Sequence, residues 1–502
     1  MTKTITKLHF NGVDYNIGGA GALAEPTNIA VTTSGTTATI TWTDPDDLRT
    51  IPPTSFSKSV LVRKVGSEPT SPTDWTVVVE EPVRDTYKTT WYADTALTKG
   101  TDYYYRVFTY ATTWVISYGD SAKTVWSRTF TVTFTETSSP SWFSPVYSDD
   151  ATGLTAGSTD FDEFFNYSAV RLSTAWVETA RITQTQSWWN GQLDITQLWD
   201  LTTGDNVMIK FPIHWIKMTK SGSTVTLSIT DDPDKASDGY QYYAHSRWTF
   251  SSPVIKDAFY MWVYEWFNSG NVLKSRSGQT PTGNQTQATF ISYARANDGN
   301  SGDTGYEICG RYQRQYINAL YMMKYGNPDS QTEVGRGFVD WNSAATTTWW
   351  TNSQLNATYG ESTGKYSMKL FGIEDWWWNV NDRVGGTCTD WNKNLYTTLS
   401  GFTWDITTSS PYVSQGTYAP WTTSPCISAI AWTNGAMFYP SATVNNSSYN
   451  TYWCDGGYVG ASRLAYAGGY RNDGAIAGAF HLDVYLSASN ASAISGARLM
   501  FL

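Results

Sequence analysis

The sequence predicts a multidomain protein in which an all-β sandwich over residues 25–135 is followed by a large α+β domain over residues 166–502. The chain has 502 residues, more than one domain usually holds. Ser, Thr, Gly and Asn are abundant while Lys and Glu are scarce, which favours strands and loops over exposed helices. One helical pattern, Tyr306–Tyr325, stands among strand patterns in the second half.

The charge balance narrows the classes of partner. The net charge is −10 and the sequence pI is near 5.0. Nucleic acid is therefore not expected as a partner, because phosphate binding needs a basic surface. No apolar run approaches the roughly eighteen residues of a membrane span, and residues 1–20 lack the apolar stretch of a signal peptide. Neither membrane insertion nor a signal peptide is expected.

Residues 1–24 predict a hairpin followed by a Gly-rich linker. Leu8–Phe10 and Asp14–Ile17 flank Asn11-Gly12, and Asn-Gly between alternating residues is a strong turn signal. The segment resembles the openings of phage tail-fibre proteins, which attach the fibre to the particle. The resemblance implies that this N-terminal segment binds other virion tail proteins.

Residues 25–135 contain short strand patterns with the spacing of a seven-strand sandwich, one strand of which is not identified. The patterns are Thr27–Val31, Thr37–Thr43, Ser59–Lys64, Trp75–Glu80, Thr101–Tyr110 and Arg128–Thr133. Two features resemble a fibronectin type III domain: Trp42 at the core tryptophan position and Tyr103 at the tyrosine-corner position. The resemblance implies a domain that spaces or displays its neighbour.

The second half follows a segment with a composition of its own. Residues 136–165 are rich in Ser, Pro and Asp, which predicts a linker or the first loops of the next domain. The rest of the chain predicts a hairpin, then a strand, then the helix that Gly326-Asn327-Pro328 closes. The hairpin and strand patterns are Phe211–Lys217 with Val225–Ile229, and Ala258–Glu265.

No catalytic residue, metal or cofactor is expected from the reactive side chains. The four cysteines lack CxxC spacing, so free buried thiols are expected, with a Cys426–Cys454 bridge as the alternative. The four histidines lie far apart and form no catalytic motif. The acidic loops Asp231–Asp234 and Asn297–Asp303 are predicted to be solvated rather than to bind calcium. The cysteines are Cys309, Cys388, Cys426 and Cys454, and the histidines are His9, His214, His245 and His481.

The C-terminal residues contain the most regular strand pattern of the chain. Between Phe480 and Ser487, apolar residues alternate with chemically mixed ones, so the two sets fall on opposite faces of a strand. Phe480, Leu482, Val484 and Leu486 are predicted to be buried. His481, Asp483, Tyr485 and Ser487 are predicted to face outward, either as an ordinary solvated face or as a contact surface. His481 beside Asp483 also predicts binding that changes with pH near neutrality.

The residues from Cys454 onward resemble the variable tail of proteins that are diversified by retroelements. The shared pattern is C-D, then S-R-L-A, then G-G-x-x-x-x-G-A-x-A-G-x-F, then S-A-S-N and G-A-R-L. The resemblance implies a C-type-lectin fold of the formylglycine-generating-enzyme type, with a ligand-binding tail at about 455–502. Its constant frame would be Ser462, Arg463, Leu464, Gly468, Gly469, Gly474, Ala477, Gly478, Phe480, Ser487, Ser489, Asn490, Gly496, Arg498 and Leu499.

The same resemblance implies which residues bind the ligand. They are the residues between the frame positions: Tyr458, Tyr466, Tyr470, Asn472, Ile476, His481, Asp483 and Tyr485. Arg471 stands where relatives commonly have tryptophan, so it belongs either to the frame or to the binding face.

A second segment resembles the same fold. Leu370–Asp382 is similar to its G-[IV]-E-[DN]-x-x-G-N-[VY]-W-E-W stretch, in which Glu374 and Asn379 are kept. Trp378, Asn381 and Asp382 depart from the pattern. The resemblance implies that the polar groups of this segment tie loops to the core.

Taken together, these features predict a phage receptor-binding protein on the virion tail, or alternatively on a bacterial cell surface. Its partner would be a bacterial surface protein or glycan, contacted by the diversified tail. Receptor-binding proteins of this kind are commonly trimeric, so a homotrimer built on globular contacts is also expected. A purely structural protein, or an enzyme on the same fold, is the alternative. Two carboxylates of a glycosidase could be present, because sequence does not give their separation.

Overall fold

The computed structural model divides the chain into two compact units, Met1–Ser127 and Arg128–Leu502. The described residues are 7–10, 13–17, 23–47, 50–51, 54–98, 101–139, 143–181, 204–299, 305–340, 344–352, 354, 356–403, 405–417, 425–433, 437–445 and 452–502. Each unit is built mainly from antiparallel strands.

The first unit consists of small sheets with two buried apolar clusters among the described residues. Its elements are β1 Lys7–Phe10, β2 Val13–Ile17, β3 Thr27–Ser34, β4 Thr37–Thr43, β5 Thr50–Ile51, β6 Phe56–Val65, β7 Thr76–Glu81, α1 Thr86–Thr89, β8 Tyr92–Asp94, β9 Tyr103–Ala111 and β10 Ile116–Lys123. β1 and β2 form the predicted hairpin, with Phe10 opposite Val13. One sheet has the order β3-β4-β8 and another the order β10-β9-β6-β7.

The core of the first unit contains the predicted tryptophan. Trp42 is 1% exposed and lies in one cluster with Ile40, Leu61 and Val107. The Tyr103 hydroxyl accepts a hydrogen bond of 3.1 Å from the backbone N–H of Thr98. That bond runs back to a residue five positions earlier, as the corner position predicts. Strands β8 and β10 were not predicted from the sequence.

The boundary between the units differs from the predicted one. The sequence places the strand pattern Arg128–Thr133 in the first domain, but the strand there, β11 (Thr129–Thr135), pairs antiparallel with Thr224–Thr230 of the second unit. Residues 136–165 are not a linker but belong to the second unit, which is the alternative that the sequence left open. They contain a strand, Val146–Asp149, and a helix, Asp160–Phe165, whose three phenylalanines are buried in the core of the second unit.

The second unit contains three larger sheets. Its strands up to the central helix are β11, β12 Val146–Asp149, β13 Ser168–Leu172, β14 Glu178–Arg181, β15 Asn206–Pro212, β16 Trp215–Ser221, β17 Thr224–Thr230, β18 Ser246–Thr249, β19 Ser252–Ile255, β20 Ala258–Trp262, β21 Phe267–Asn268, β22 Leu273–Lys274 and β23 Tyr306–Ile308. The later strands are β24 Lys369–Leu370, β25 Ile373–Glu374, β26 Asn381–Thr389, β27 Asn394–Thr397, β28 Val413–Thr417, β29 Pro425–Thr433, β30 Met437–Asn445, β31 Gly457–Val459, β32 Leu464–Ala467, β33 Leu482–Leu486, β34 Ser495–Ala497 and β35 Leu499–Phe501.

The order of these strands brings distant parts of the chain together. One sheet has the order β12-β11-β17-β16 and a second the order β14-β13-β15-β20-β35-β23. The third has the order β28-β27-β26-β32-β33-β31, with β34 also paired to β26. The predicted hairpin is present as β16 and β17. The C-terminal tail supplies strands to the second and third sheets.

The α-helices in the described part of the second unit are α2 Asp160–Phe165, α3 Gln287–Arg295, α4 Arg311–Tyr325 and α5 Ser330–Glu333. The predicted helix Tyr306–Tyr325 is therefore shorter, because its first residues form β23. Gly326 closes α4 in a left-handed conformation, with φ of 61°. Among the described residues, no helix is long and apolar enough to cross a membrane.

The predicted fold class is wrong. The chain is a β-rich protein of many sheets, in which α4 is the only helix longer than nine residues among those described. The α+β expectation gave too much weight to this one helix. The abundance of Ser, Thr and Gly and the scarcity of Lys and Glu, which favour strands and loops, describe the second unit as well as the first.

Candidate functional site

Three neighbouring strands align the candidate residues of the tail. Tyr458 on β31 lies opposite Asp483 on β33, and Asp483 lies opposite Tyr466 on β32. Directly opposed residues point to the same face of a sheet. His481 lies two positions before Asp483 and Tyr485 two positions after it, so the mixed face predicted from the alternation is a single face of this sheet.

The opposite face is apolar, as the alternation predicted. Leu482 and Val484 pack in a buried cluster with Val459, Ala465 and Val384. Phe480 is also buried, but it precedes the strand and packs against Trp453, with ring centroids 5.0 Å apart. Leu486, at the end of β33, is half-buried. Because the apolar face packs in the core, the mixed face of the same strand must point the opposite way.

Two of the candidate residues do not lie at the surface. Tyr466 is 1% exposed, since β32 is a central strand and the guanidinium of Arg383 covers its ring, 4.8 Å from the centroid. His481 is 2% exposed, and its Nδ1 donates a hydrogen bond of 2.8 Å to the carbonyl oxygen of Ile476. A period of two assigns residues to a face but does not show what covers that face. The expectation that these two residues project to a ligand is corrected accordingly.

The remaining candidates lie at or near the surface. Tyr485 is 47% exposed, and its ring contacts that of Tyr458 at 4.1 Å between centroids. Asn472 is exposed, and the other members of the set are half-buried. This exposed set, which we call the tail surface, is Tyr458, Tyr470, Arg471, Asn472, Ile476, Asp483 and Tyr485.

Four of the seven residues of the tail surface lie on the loop at 470–476, and hydrogen bonds hold that loop in place. The N–H of Tyr470 donates to Asp473 Oδ2 at 2.9 Å. The N–H of Gly474 donates to the Val339 carbonyl at 3.1 Å, and Gln331 Nε2 donates to the Gly474 carbonyl at 2.8 Å. The loop is therefore ordered before any ligand binds, which lowers the entropic cost of binding.

Glycines open this loop for a steric reason. Gly468 and Gly469 have φ of 89° and 83°, a region that L-residues rarely adopt. A Cβ on Gly469 would also lie 2.7 Å from the Cβ of Ala477. Frame positions of the resemblance thus coincide with positions where the backbone tolerates little change.

The segment Leu370–Asp382 ties loops to the core, as the resemblance implied. Glu374 is buried, and its carboxylate accepts from the N–H groups of Trp349 and Thr351 at 2.8 and 2.9 Å. Asn379 is buried as well. Its side chain donates to Glu265 and accepts from the Thr346 N–H at 3.1 Å, while its carbonyl accepts from the Arg471 N–H at 3.4 Å.

Two titratable groups near the tail surface, His481 and Asp473, have shifted pKa values. Burial lowers the pKa of His481, but the charges of Asp483 and Asp473 outweigh it and raise the value to about 9. Burial raises the pKa of the Asp473 carboxyl to about 6. Of these two groups, Asp473 is the one whose pKa lies between pH 5 and 8, and the sequence did not single it out.

Burial makes several thiols and imidazoles of the described residues poor nucleophiles or bases. All four cysteines are buried with free thiols, as predicted, and the alternative Cys426–Cys454 bridge is not formed. Burial raises the pKa of Cys309 to about 12 and that of Cys388 to about 11, the reverse of what thiolate chemistry needs. Burial lowers the pKa of His214 to about 4 and that of His245 to about 3, so both are neutral.

A cavity behind the tail surface is too small for a ligand. A cavity of about 10 Å³, room for one water molecule, lies next to His481 and Phe480 and is lined by Arg311 and Arg314. Within the described ranges, no group of three or more Asp, Glu, His or Cys side chains is placed to hold a metal ion. The loop at 297–303 lies partly outside those ranges.

Comparisons with known proteins add no family assignment. No protein-family profile matches the chain. No curated protein matches it either.

Proposed function

We propose that this protein is a receptor-binding protein of a phage tail, and that the tail surface binds a ligand on the bacterial cell. The observation that carries the proposal is the difference in burial between two residue sets within the tail. Nine of the fifteen frame residues are buried, and Leu464, Ala477 and Arg498 are at most 1% exposed, whereas Ser487 and Ser489 are exposed and the other four frame residues are half-buried. Seven of the nine candidate residues between them lie at or near the surface.

The chemistry of the tail surface suits binding without reaction. Tyr458, Tyr470 and Tyr485 offer large amphipathic areas at low entropic cost, as aromatic residues do in antibody paratopes. Arg471, Asn472 and Asp483 add hydrogen-bonding groups of different charge. Because the loop and strands beneath them are fixed, these side chains can be exchanged while the backbone stays the same.

Arg498 shows how the frame holds the tail in place. Its Nε donates to Asp382 Oδ2 at 2.8 Å, and the same carboxylate oxygen accepts from Arg314 Nη1 at 3.0 Å. The three side chains are almost completely buried. A buried charge left without its partner costs several kcal/mol, so this network ties the end of the tail to α4 and β26. Variation is therefore tolerated only outside the network.

Binding to intact bacteria tests this function. The full-length protein and a Tyr470→Ala/Asn472→Ala/Tyr485→Ala variant would be labelled and applied to a panel of strains. We expect strain-selective binding by the unchanged protein and its loss in the variant, with the same thermal unfolding temperature in both.

A matched control uses three exposed residues on the hairpin β18–β19 and just after it. The variant Val254→Ala/Ile255→Ala/Lys256→Ala changes three exposed side chains away from the tail and is expected to keep full binding. Equal binding by all three proteins would move the ligand site away from the tail surface. Absence of binding to every strain would favour a structural protein instead.

A further inference from the structure

An exposed pair of tryptophans lies in the second unit, outside the tail. Trp349 and Trp350 are 48% and 45% exposed, and their ring centroids are 5.2 Å apart with 28° between the ring planes. Large apolar side chains are costly to leave in water, so a stacked exposed pair marks a contact site. The sequence signal is two adjacent tryptophans after a run of Ala and Thr.

The backbone beneath this pair is strained and fixed. Trp349 has φ of 132°, which L-residues rarely adopt. The buried carboxylate of Glu374 accepts from the Trp349 N–H, the Thr351 N–H and the Thr351 hydroxyl, the last at 2.7 Å. Three bonds to one buried acceptor hold the pair in place before a ligand arrives, which reduces the entropic cost of binding.

The loop that carries the tryptophan pair and the 470–476 loop share one buried support, Asn379. The Thr346 N–H donates to the Asn379 side chain, and the Arg471 N–H donates to the Asn379 carbonyl. Thr346 precedes Trp349 by three residues. Both loops are thus hydrogen-bonded to the same buried residue.

The chemistry of the pair fits a saccharide. The face of an aromatic ring is apolar and carries partial negative charge, which attracts the polarised C–H groups on the face of a pyranose ring. Neither indole N–H donates to another of the described residues, so both can donate to hydroxyl or acetamido oxygens at the rim of a sugar. A net charge of −10 disfavours polyanions. An uncharged ligand that combines apolar ring faces with a polar rim therefore suits the pair.

We infer that Trp349 and Trp350 form a stacking platform, through the outer faces of their stacked rings, for an uncharged cell-surface polysaccharide. The inference deepens the proposed function and rests on it: the platform supplies a general sugar contact, and the tail surface selects among glycans.

An array of purified bacterial surface glycans, charged and uncharged, tests the platform without requiring a known host. The full-length protein, a Trp349→Ala/Trp350→Ala variant and a Trp391→Ala control would be applied in parallel. Trp391 is 80% exposed and lies on the turn after β26. We expect binding to uncharged glycans, weakened roughly tenfold or more by loss of the pair, as for other ring-stacking contacts. The control is expected to bind like the unchanged protein.

The outcomes separate the two proposals. Absence of binding to any uncharged glycan, or equal binding by the double variant, would overturn the platform. Binding to cells that survives periodate treatment of the cells but not protease treatment would also overturn the platform, because the ligand would then be a protein. The receptor-binding function would still stand. Glycan binding that depends on Trp349 and Trp350 but not on Tyr470, Asn472 and Tyr485 would keep the platform and remove the tail surface from the proposed function.

Discussion

The imidazole of His481 lies 3.2 Å, from Nε2 to Oδ2, from the carboxylate of Asp483, although the ring is buried and the carboxylate is one-third exposed. Its other nitrogen, Nδ1, donates to the carbonyl oxygen of Ile476. A buried imidazole between two acceptors is favoured in its protonated form. Protonated His481 therefore links β33, through Asp483, to the loop at 470–476, through Ile476.

Stability is expected to fall above neutral pH because of this pair. The pKa of His481 is raised from 6.5 to about 9, so its contribution is fully present below about pH 6.5 and is lost as the pH rises through about 9. The shift corresponds to at most about 3 kcal/mol. Urea unfolding at about pH 6 and pH 10, followed by tryptophan fluorescence, measures the difference.

His481→Gln provides the comparison for this effect. The amide keeps hydrogen-bonding groups but does not titrate, so the fall in unfolding free energy between about pH 6 and pH 10 should be smaller in the variant. The same pH dependence in both proteins would show that His481 is not the group responsible.

Substitution of Tyr466 tests whether its side chain is part of the core or part of the contact surface. Tyr466→Ala is expected to lower the free energy of unfolding by about 3–5 kcal/mol, because it removes a large buried ring beneath Arg383. Tyr485→Ala, at an exposed position, should cost less than about 1 kcal/mol. Urea denaturation of both variants makes the comparison. A small cost for Tyr466→Ala would place its ring at the surface after all.

Glu374 is expected to control the order of the loop that carries Trp349 and Trp350. Glu374→Gln places an NH₂ group where one of the two carboxylate oxygens accepts, so the Trp349 or Thr351 N–H loses its partner. Hydrogen exchange of these two amides should speed up, while exchange within α4 stays unchanged. Unaltered protection of both amides in the variant would show that the loop is held by other contacts.

Local patterns predicted much of this molecule. The alternation from Phe480 to Ser487 predicted the two faces of β33, and Asn11-Gly12 predicted the hairpin of β1 and β2. Long-range pairing was not predictable. Nothing near Thr129–Thr135 in the sequence indicates that its partner is Thr224–Thr230. Burial of Tyr466 depends on Arg383, more than eighty residues earlier, so a pattern in the tail alone could not reveal it.

For the candidate site as well, sequence patterns do not show which distant residues cover a side chain. Sequence identified a frame and a set of exchangeable positions, but the pKa of Asp473 depends on how deeply the 470–476 loop buries its carboxyl. The sequence itself shows that two tryptophans are adjacent. Its exposure and its attachment to Glu374 follow only from the folded chain.

The central claim is that the tail surface decides which cell is bound. The most direct measurement is selection from a library in which Tyr458, Tyr470, Asn472, Ile476, Asp483 and Tyr485 are randomised and every other residue is kept. The library would be selected on a bacterial strain that the unchanged protein does not bind. A second library, randomised at Val254, Ile255 and Lys256, serves as the control. We predict that the first library yields folded variants that bind the new strain and the second yields none. Equal success of both libraries, or failure of the first while its members remain folded, would contradict the claim.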